Sequence, residues 1–320
     1  MDFHLLIDNL TNPALLFFFL GLMAVQVKSD LQIPENSSKF ISLYLLFSIG
    51  FKGGQELSHS NLDLEVWGAL LFGILLAVSV PLYTFFVLKK RFSRENAGAI
   101  AASYGSVSAV TFVTSISFLE YQQVDFGGHM VAVMALMEAP SIIVGMALIF
   151  LGKSMKGNDM SFKTVLHHSI TNGSVLLIMG SLIIGFIANE EQAAGIEPFT
   201  TDIFKGFLAI FLLDMGIASG KRLASFFRNG WFPFWFAIVI PLINGLLVSY
   251  CTRWFITADG DRFLFAILAA SASYIAVPAA MRMVVPKANP GLYIPMALGV
   301  TFPFNITVGM PLYFYLITAT

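Results

Sequence analysis

Two stretches of this chain, Trp67–Leu88 and Trp231–Phe255, are long apolar blocks with Arg253 as their one charged residue. A bilayer core of about 30 Å is crossed by roughly 20 apolar residues at 1.5 Å rise each, so such blocks predict membrane-spanning helices. Strands of a membrane barrel are excluded by the same pattern, because they alternate apolar and polar residues over about 10 positions. Composition agrees: 57% of the 320 residues are hydrophobic and 12% are charged, about half the charge of a soluble domain. Too few polar side chains remain to coat a water-exposed globule. The net charge of −1 and the scattered Lys and Arg leave no basic footprint for nucleic acid. No His-Glu-x-x-His pair, intramembrane Gly-x-Gly-Asp motif, P-loop or dinucleotide fingerprint occurs, so an enzyme is not expected. The single cysteine, Cys251, rules out a disulfide within the chain.

Ten spans are expected, at about 13–27, 40–57, 66–88, 97–119, 130–152, 170–188, 203–220, 231–255, 262–285 and 291–317. The segment Met1–Asn12 carries Asp2 and Asp8 but no Lys or Arg, so the first apolar run reads as a retained span. Alternate connections hold Lys28 and Lys39; Lys89, Lys90, Arg91 and Arg94; Lys153, Lys156 and Lys163; Lys221, Arg222 and Arg228; Arg282 and Lys287. The opposite side has only Lys52, Lys205, Arg253 and Arg262. Positively charged connections stay in the cytoplasm, which places both termini outside. His167-His168 reads as part of a solvated loop.

The chain also repeats itself. Asn12-Pro-Ala-Leu-Leu opens span one as Asn172-Gly-Ser-Val-Leu opens span six. Gly50 to Leu57 in span two resembles Gly216 to Leu223 in span seven, and Pro81-Leu82 and Pro241-Leu242 sit alike in spans three and eight. Ala99-Ile-Ala-Ala-Ser-Tyr matches Ile267-Leu-Ala-Ala-Ser-Ala in spans four and nine, and Pro140-Ser-Ile-Ile-Val-Gly-Met echoes Pro303-Phe-Asn-Ile-Thr-Val-Gly-Met in spans five and ten. Five matches in the same order, in halves of five spans each, predict an inverted repeat of the kind secondary transporters use. The fold class expected is an all-α integral membrane protein with ten helices in a 5+5 inverted repeat. Residues 1–152 form the first repeat, 153–169 a short cytoplasmic linker and 170–320 the second repeat.

Such transporters bind substrate near the midplane, where interrupted helices offer N–H groups to an anion and carbonyls to a cation. Spans four and nine fit. Span four contributes Ser103, Gly105, Ser106, Ser108 and Thr111, and span nine Ser271 and Ser273, with Pro278 expected to free a carbonyl in mid-span. Glu138, inside span five, is costly there and is a candidate to hold Na⁺, with Thr301 and Asn305 of span ten as its neutral counterpart. The Na⁺ ligands expected are Ser106, Ser108, Thr111, Glu138 and Ser273. Glu120 is expected to close span four, and Asp214 to pair with Lys221 and Arg222. The residues leave open a Na⁺-coupled anion symporter, a Na⁺/organic-anion symporter and a cation/proton antiporter, none of which needs a cofactor beyond the coupling ion.

Several segments resemble the SbtA-type sodium-dependent bicarbonate transporters: Leu31-Gln-Ile-Pro-Glu35, Ile49-Gly-Phe-Lys-Gly-Gly54, Gly105-Ser-Val-Ser108, Leu119-Glu120, Met137-Glu-Ala-Pro-Ser141, Ala269-Ala-Ser-Ala-Ser273 and Ala288-Asn-Pro290. The similarity runs over nearly the whole chain. It implies bicarbonate import with Na⁺ by an elevator-like motion, in a homotrimer of a bacterial inner membrane. It further implies a gate unit from 13–57 and 170–220 and a transport core from 66–152 and 231–317, with the site on Gly105, Ser106, Ser108, Thr111, Ser271 and Ser273. Cyanobacterial members are similar but carry an acidic residue and then Ser-Gly-Pro-Pro in span nine, where this chain has Tyr274-Ile-Ala-Val-Pro278. They also have a long insert between spans five and six, where Gly152–Thr171 is short, and the resemblance leaves control by a PII-like partner open.

Overall fold

The computed structural model describes residues 11–59, 64–150, 173–226 and 230–319. Among these the chain is helical, with no strand. The expected linker 153–169, His167-His168, Asn172 and Arg228 lie outside the described residues.

The first half comprises α1 (Pro13–Gln26), α2 (Glu35–His59), α3 (Leu64–Leu88), α4 (Arg94–Gly105), α5 (Ala109–Gln122) and α6 (His129–Phe150). The second comprises α7 (Gly173–Ile187), the short α8 (Glu190–Ala194), α9 (Phe204–Phe226), α10 (Trp231–Cys251), α11 (Asp259–Ala270) and α12 (Ala276–Val284). Last comes α13, the helical run Pro290–Thr318, wound as π-helix over Pro295–Thr301 and Asn305–Gly309. Local signals set several starts: Asn12 accepts the N–H of Ala14 with Pro13 at the first position of α1, Ser93 caps α4 and Ser108 caps α5. Between the expected spans six and seven the chain builds α8, closed by reciprocal bonds between Asn189 and Gln192.

Among the described residues, six helical stretches are long and apolar enough to cross a membrane: Leu64–Leu88, Arg94–Gln122, His129–Phe150, Pro198–Lys221, Trp231–Trp254 and Pro290–Thr318. Pro13–Gln26 and Leu176–Ile187 are apolar but shorter. Helix α2 misses this measure because Glu35, Lys39, Lys52 and Glu56 dilute it, and span nine because it is interrupted at 271–275. The protein is a multi-pass membrane protein.

Two helix pairs are drawn together by glycine. Helix α2 lies on α7 so closely that a Cβ on Gly50 would stand 2.7 Å from the carbonyl oxygen of Ile178, and one on Gly54 2.1 Å from that of Leu182. Helix α9 lies on α1 in the same way, a Cβ on Gly216 falling 2.1 Å from the Phe18 oxygen. In lipid, where water drives no helix association, close backbone approach of this kind is a main source of adhesion. The remaining helices pack as α3 with α4 and α6, and α10 with α11 and α13. They surround α4 and α11, whose residues Ala97–Gly105 and Gly260–Ala270 are all buried.

One bonding group, centred on Glu120, links these two sets at one end of the molecule. Glu120 of α5 pairs with Lys52 of α2 at 3.6 Å and with Lys205 of α9 at 3.2 Å, and so does more than close its helix. Nearby, the buried His129 and Asp261 approach to 3.5 Å. At the opposite end Asp214 of α9 accepts the Ser38 hydroxyl of α2 and feels the charge of Lys221, while the Arg222 side chain lies outside the described residues.

Candidate functional site

Helices α4 and α11 are each twelve residues long, or about 18 Å, just over half of a 30 Å bilayer core. They enter from opposite ends. Near the start of α4 the Asn289 N–H donates to Asn96 Oδ1 (2.8 Å), whereas near the start of α11 the Gly127 N–H donates to Asp261 Oδ1 (2.7 Å). Each stops on a serine in extended conformation, Ser106 (φ −81°, ψ 176°) and Ser271 (φ −86°, ψ 172°). Gly105 is required at the first stop, because a Cβ there would lie 2.2 Å from Pro81 Cγ. At the second, Pro278 does not break a continuing helix as expected. It stands in the first turn of α12, where its missing N–H has no intrahelical partner to lose.

The two interruptions are stitched to each other. The Ser273 N–H donates to the Ser103 carbonyl (2.8 Å), and the Ser108 N–H donates to Ser271 Oγ (3.0 Å). Ser271 Oγ in turn donates to the Leu268 carbonyl at 2.9 Å. Beyond each break a serine hydroxyl receives an N–H of the next helix: Ser108 Oγ from Thr111 (3.1 Å) and Ser273 Oγ from Val277 (3.4 Å). Carbonyls released at the helix ends are met by side chains of neighbouring helices. Ser141 donates to the Ala102 oxygen (2.9 Å), Asn305 to that of Ala270 (2.7 Å) and Asn244 to that of Ala269 (3.1 Å).

Beside this crossing lies a pocket of about 320 Å³ lined by Ser42 and Leu46 of α2, Val107–Val110, Glu138, and Ser273–Ala276. The N-termini of α5 and α12 both reach it, bringing the positive ends of two helix dipoles. It shares Ser42, Tyr274 and Ile275 with a wider cavity of about 1050 Å³ that runs between α2 and α9 past Ser38, Lys39 and Asp214. Three buried polar atoms at or next to the crossing lack a hydrogen-bond partner: Ser106 Oγ, Glu138 Oε2 and Asn305 Oδ1. Unpaired buried groups are costly, and of these Glu138 lines the pocket.

Of the ten residues singled out in the sequence, Ser108, Glu138 and Ser273 face this pocket together. Ser103 turns its hydroxyl back to the Ala99 carbonyl (3.0 Å) and joins the crossing through its own carbonyl. Gly105, Ser106, Thr111 and Ser271 form the backbone of the crossing. Asn305 supports it from outside, and Thr301 lies farther off, bonded to Tyr104 (2.8 Å) and to the Ala237 carbonyl (2.7 Å). Glu138 has no Lys, Arg or His within salt-bridge distance among the described residues. Sequence reasoning missed Ser42, Ser141 and Asn244. Asn244 carried a signal, a lone amide in the apolar run Trp231–Phe255, and it also accepts the Tyr83 hydroxyl at 2.6 Å.

An all-helical membrane protein in which two half-length helices cross beside a polar pocket is built like a transporter. A family model described as the Na⁺-dependent bicarbonate transporter superfamily matches residues 13–318, and the chain belongs to that superfamily. No curated protein matches the chain.

Proposed function

We propose that this protein is a Na⁺-coupled symporter that imports bicarbonate, with its site at the crossing of α4–α5 and α11–α12. The observation that carries the reading is the pocket where Ser108, Ser273 and Glu138 oxygens meet two helix N-termini. Oxygen donors suit Na⁺, a hard cation, and helix N-termini suit an anion. In a low dielectric each ion offsets the burial cost of the other, so each raises the affinity for its partner. No covalent step and no cofactor beyond the coupling ion is needed.

A 5+5 inverted repeat of ten spans is supported by paired contacts. In the register set by Asn12 and Asn172, Phe18 is equivalent to Ile178, and in that of the Gly50–Leu57 and Gly216–Leu223 match, Gly216 is equivalent to Gly50. The Gly216–Phe18 and Gly50–Ile178 approaches are then the same contact made twice. In the register of the two Val-Gly-Met runs, Ser141 is equivalent to Asn305, and both donate to matched alanine carbonyls, Ala102 and Ala270.

An elevator-like motion is supported by the grouping of helices. The set α1, α2, α7 and α9 is held by its own backbone contacts, and the pocket lies where this set meets the rest. The wide cavity beside Lys39 opens on the side read as cytoplasmic, while Glu120 ties the two sets together on the other. We assign this arrangement to the inward-facing state of a homotrimer in a bacterial inner membrane, with both termini outside. The buried Glu138 is the one observation favouring a cation/proton antiporter instead.

The test is uptake of labelled bicarbonate into proteoliposomes. Uptake driven by an inward Na⁺ gradient and undiminished by small organic carboxylates is expected. Uptake indifferent to Na⁺, or pH change in the vesicles without any anion, would sink the reading.

A further inference from the structure

Glu138 is 8% exposed, lines the pocket, and leaves its Oε2 atom without a hydrogen-bond partner. Among the described residues lining the pocket it is the only charged one, since Lys39 and Asp214 belong to the wider cavity beyond. The charge count follows directly. A bicarbonate beside an ionised Glu138 makes two negative charges, and no Lys, Arg or His among the described residues stands within salt-bridge distance of Glu138 to answer them. One Na⁺ leaves a net negative charge in the membrane interior, where an uncompensated charge is costly. Two Na⁺ leave none. The pocket has the oxygens for more than one ion: besides the Glu138 carboxylate, Ser42, Ser108, Ser273 and Tyr274 line it.

Resting on the symport reading above, we infer that two Na⁺ ions accompany each bicarbonate, and that Glu138 creates the demand for the second. The loaded site is then neutral, and each cycle carries two Na⁺ and one bicarbonate, one net positive charge, inward.

Full-length protein in proteoliposomes tests this with labelled sodium and labelled bicarbonate, under a clamped membrane potential. The wild type should show a flux ratio of about 2 Na⁺ per bicarbonate, a Hill coefficient for Na⁺ above 1, and faster uptake when the interior is negative. In Glu138→Gln, whatever its rate, the ratio should fall to about 1 and the voltage dependence should vanish. A wild-type ratio of about 1 with no response to voltage overturns the inference, and so does an unchanged ratio in Glu138→Gln. A wild type that takes one Na⁺ and one proton per bicarbonate also overturns it. Should Glu138→Gln fail to fold, the wild-type flux ratio decides alone. Loss of Na⁺ dependence altogether would instead count against symport itself.

Discussion

The two interruptions, one in each half of the chain, reach similar geometry by different means. Both follow a twelve-residue helix, both stop on an extended serine, and both place a second serine two residues on, Ser108 and Ser273. The first break is short, three residues from Ser106 to Ser108, and is wedged by Gly105 against Pro81. The second runs from Ser271 to Ile275 and is held by two amides, Asn244 and Asn305, on the Ala269 and Ala270 carbonyls. The first half also supplies the only carboxylate of the pocket, whereas its span-ten counterpart, Thr301, is spent on Tyr104 and Ala237. The halves therefore share a backbone design and divide the chemistry: steric fit and charge in one, amide capping in the other.

Substitutions should expose that division. The largest effect is expected for Gly105→Val, whose side chain must displace the Pro81 ring. Over-packing costs about 1–3 kcal/mol, and because the displaced residues form the crossing, uptake should be abolished while thermal unfolding of the purified protein shows the loss of stability. Gly68→Val, where nothing stands within 4 Å of the added Cβ, should leave uptake and stability nearly unchanged.

Next comes Asn305→Leu, which leaves the Ala270 carbonyl unmet. A buried acceptor left unpaired costs about 1–3 kcal/mol, so a lower melting temperature and weakened uptake are expected. Ser141→Ala, which strips the equivalent carbonyl in the first half, should cost less, because Ala102 also accepts the Ser106 N–H at 3.0 Å.

Ser108→Ala and Ser273→Ala remove hydroxyls from the pocket. Each should raise the Na⁺ concentration for half-maximal uptake about tenfold, equivalent to 1.4 kcal/mol, with the fold retained. Equal shifts in the two would indicate symmetric use of the breaks, and unchanged values in both would remove the site assignment. The smallest effect is expected for Ser103→Ala. Its hydroxyl serves only the Ala99 carbonyl, so stability should change by less than about 0.5 kcal/mol and uptake hardly at all.

Much of the architecture could be read from residue order. Apolar blocks marked spans, and runs of Ser, Gly and Ala marked where α4 and α11 end. What stayed hidden is what depends on neighbours from the other half. Ser103, Ser106 and Ser108 are indistinguishable as letters, yet one hydroxyl turns back on its own helix, one is left without a partner and one caps α5 at the pocket. Pro278 looked like a breaker, but a proline in a first turn starts a helix as readily as it ends one. Ser42 lay in a span whose charges and glycines gave no hint that it faces Tyr274 across the pocket.

The central claim is that two ions of opposite sign share one uncompensated pocket and stabilise each other there. Na⁺ affinity of the purified protein, measured with and without saturating bicarbonate, tests it most directly. Coupling of 1–3 kcal/mol is typical of linked sites, so bicarbonate should tighten Na⁺ binding by about 5- to 150-fold, and Ser108→Ala or Ser273→Ala should reduce that gain. Identical Na⁺ affinity in the presence and absence of bicarbonate would contradict the account.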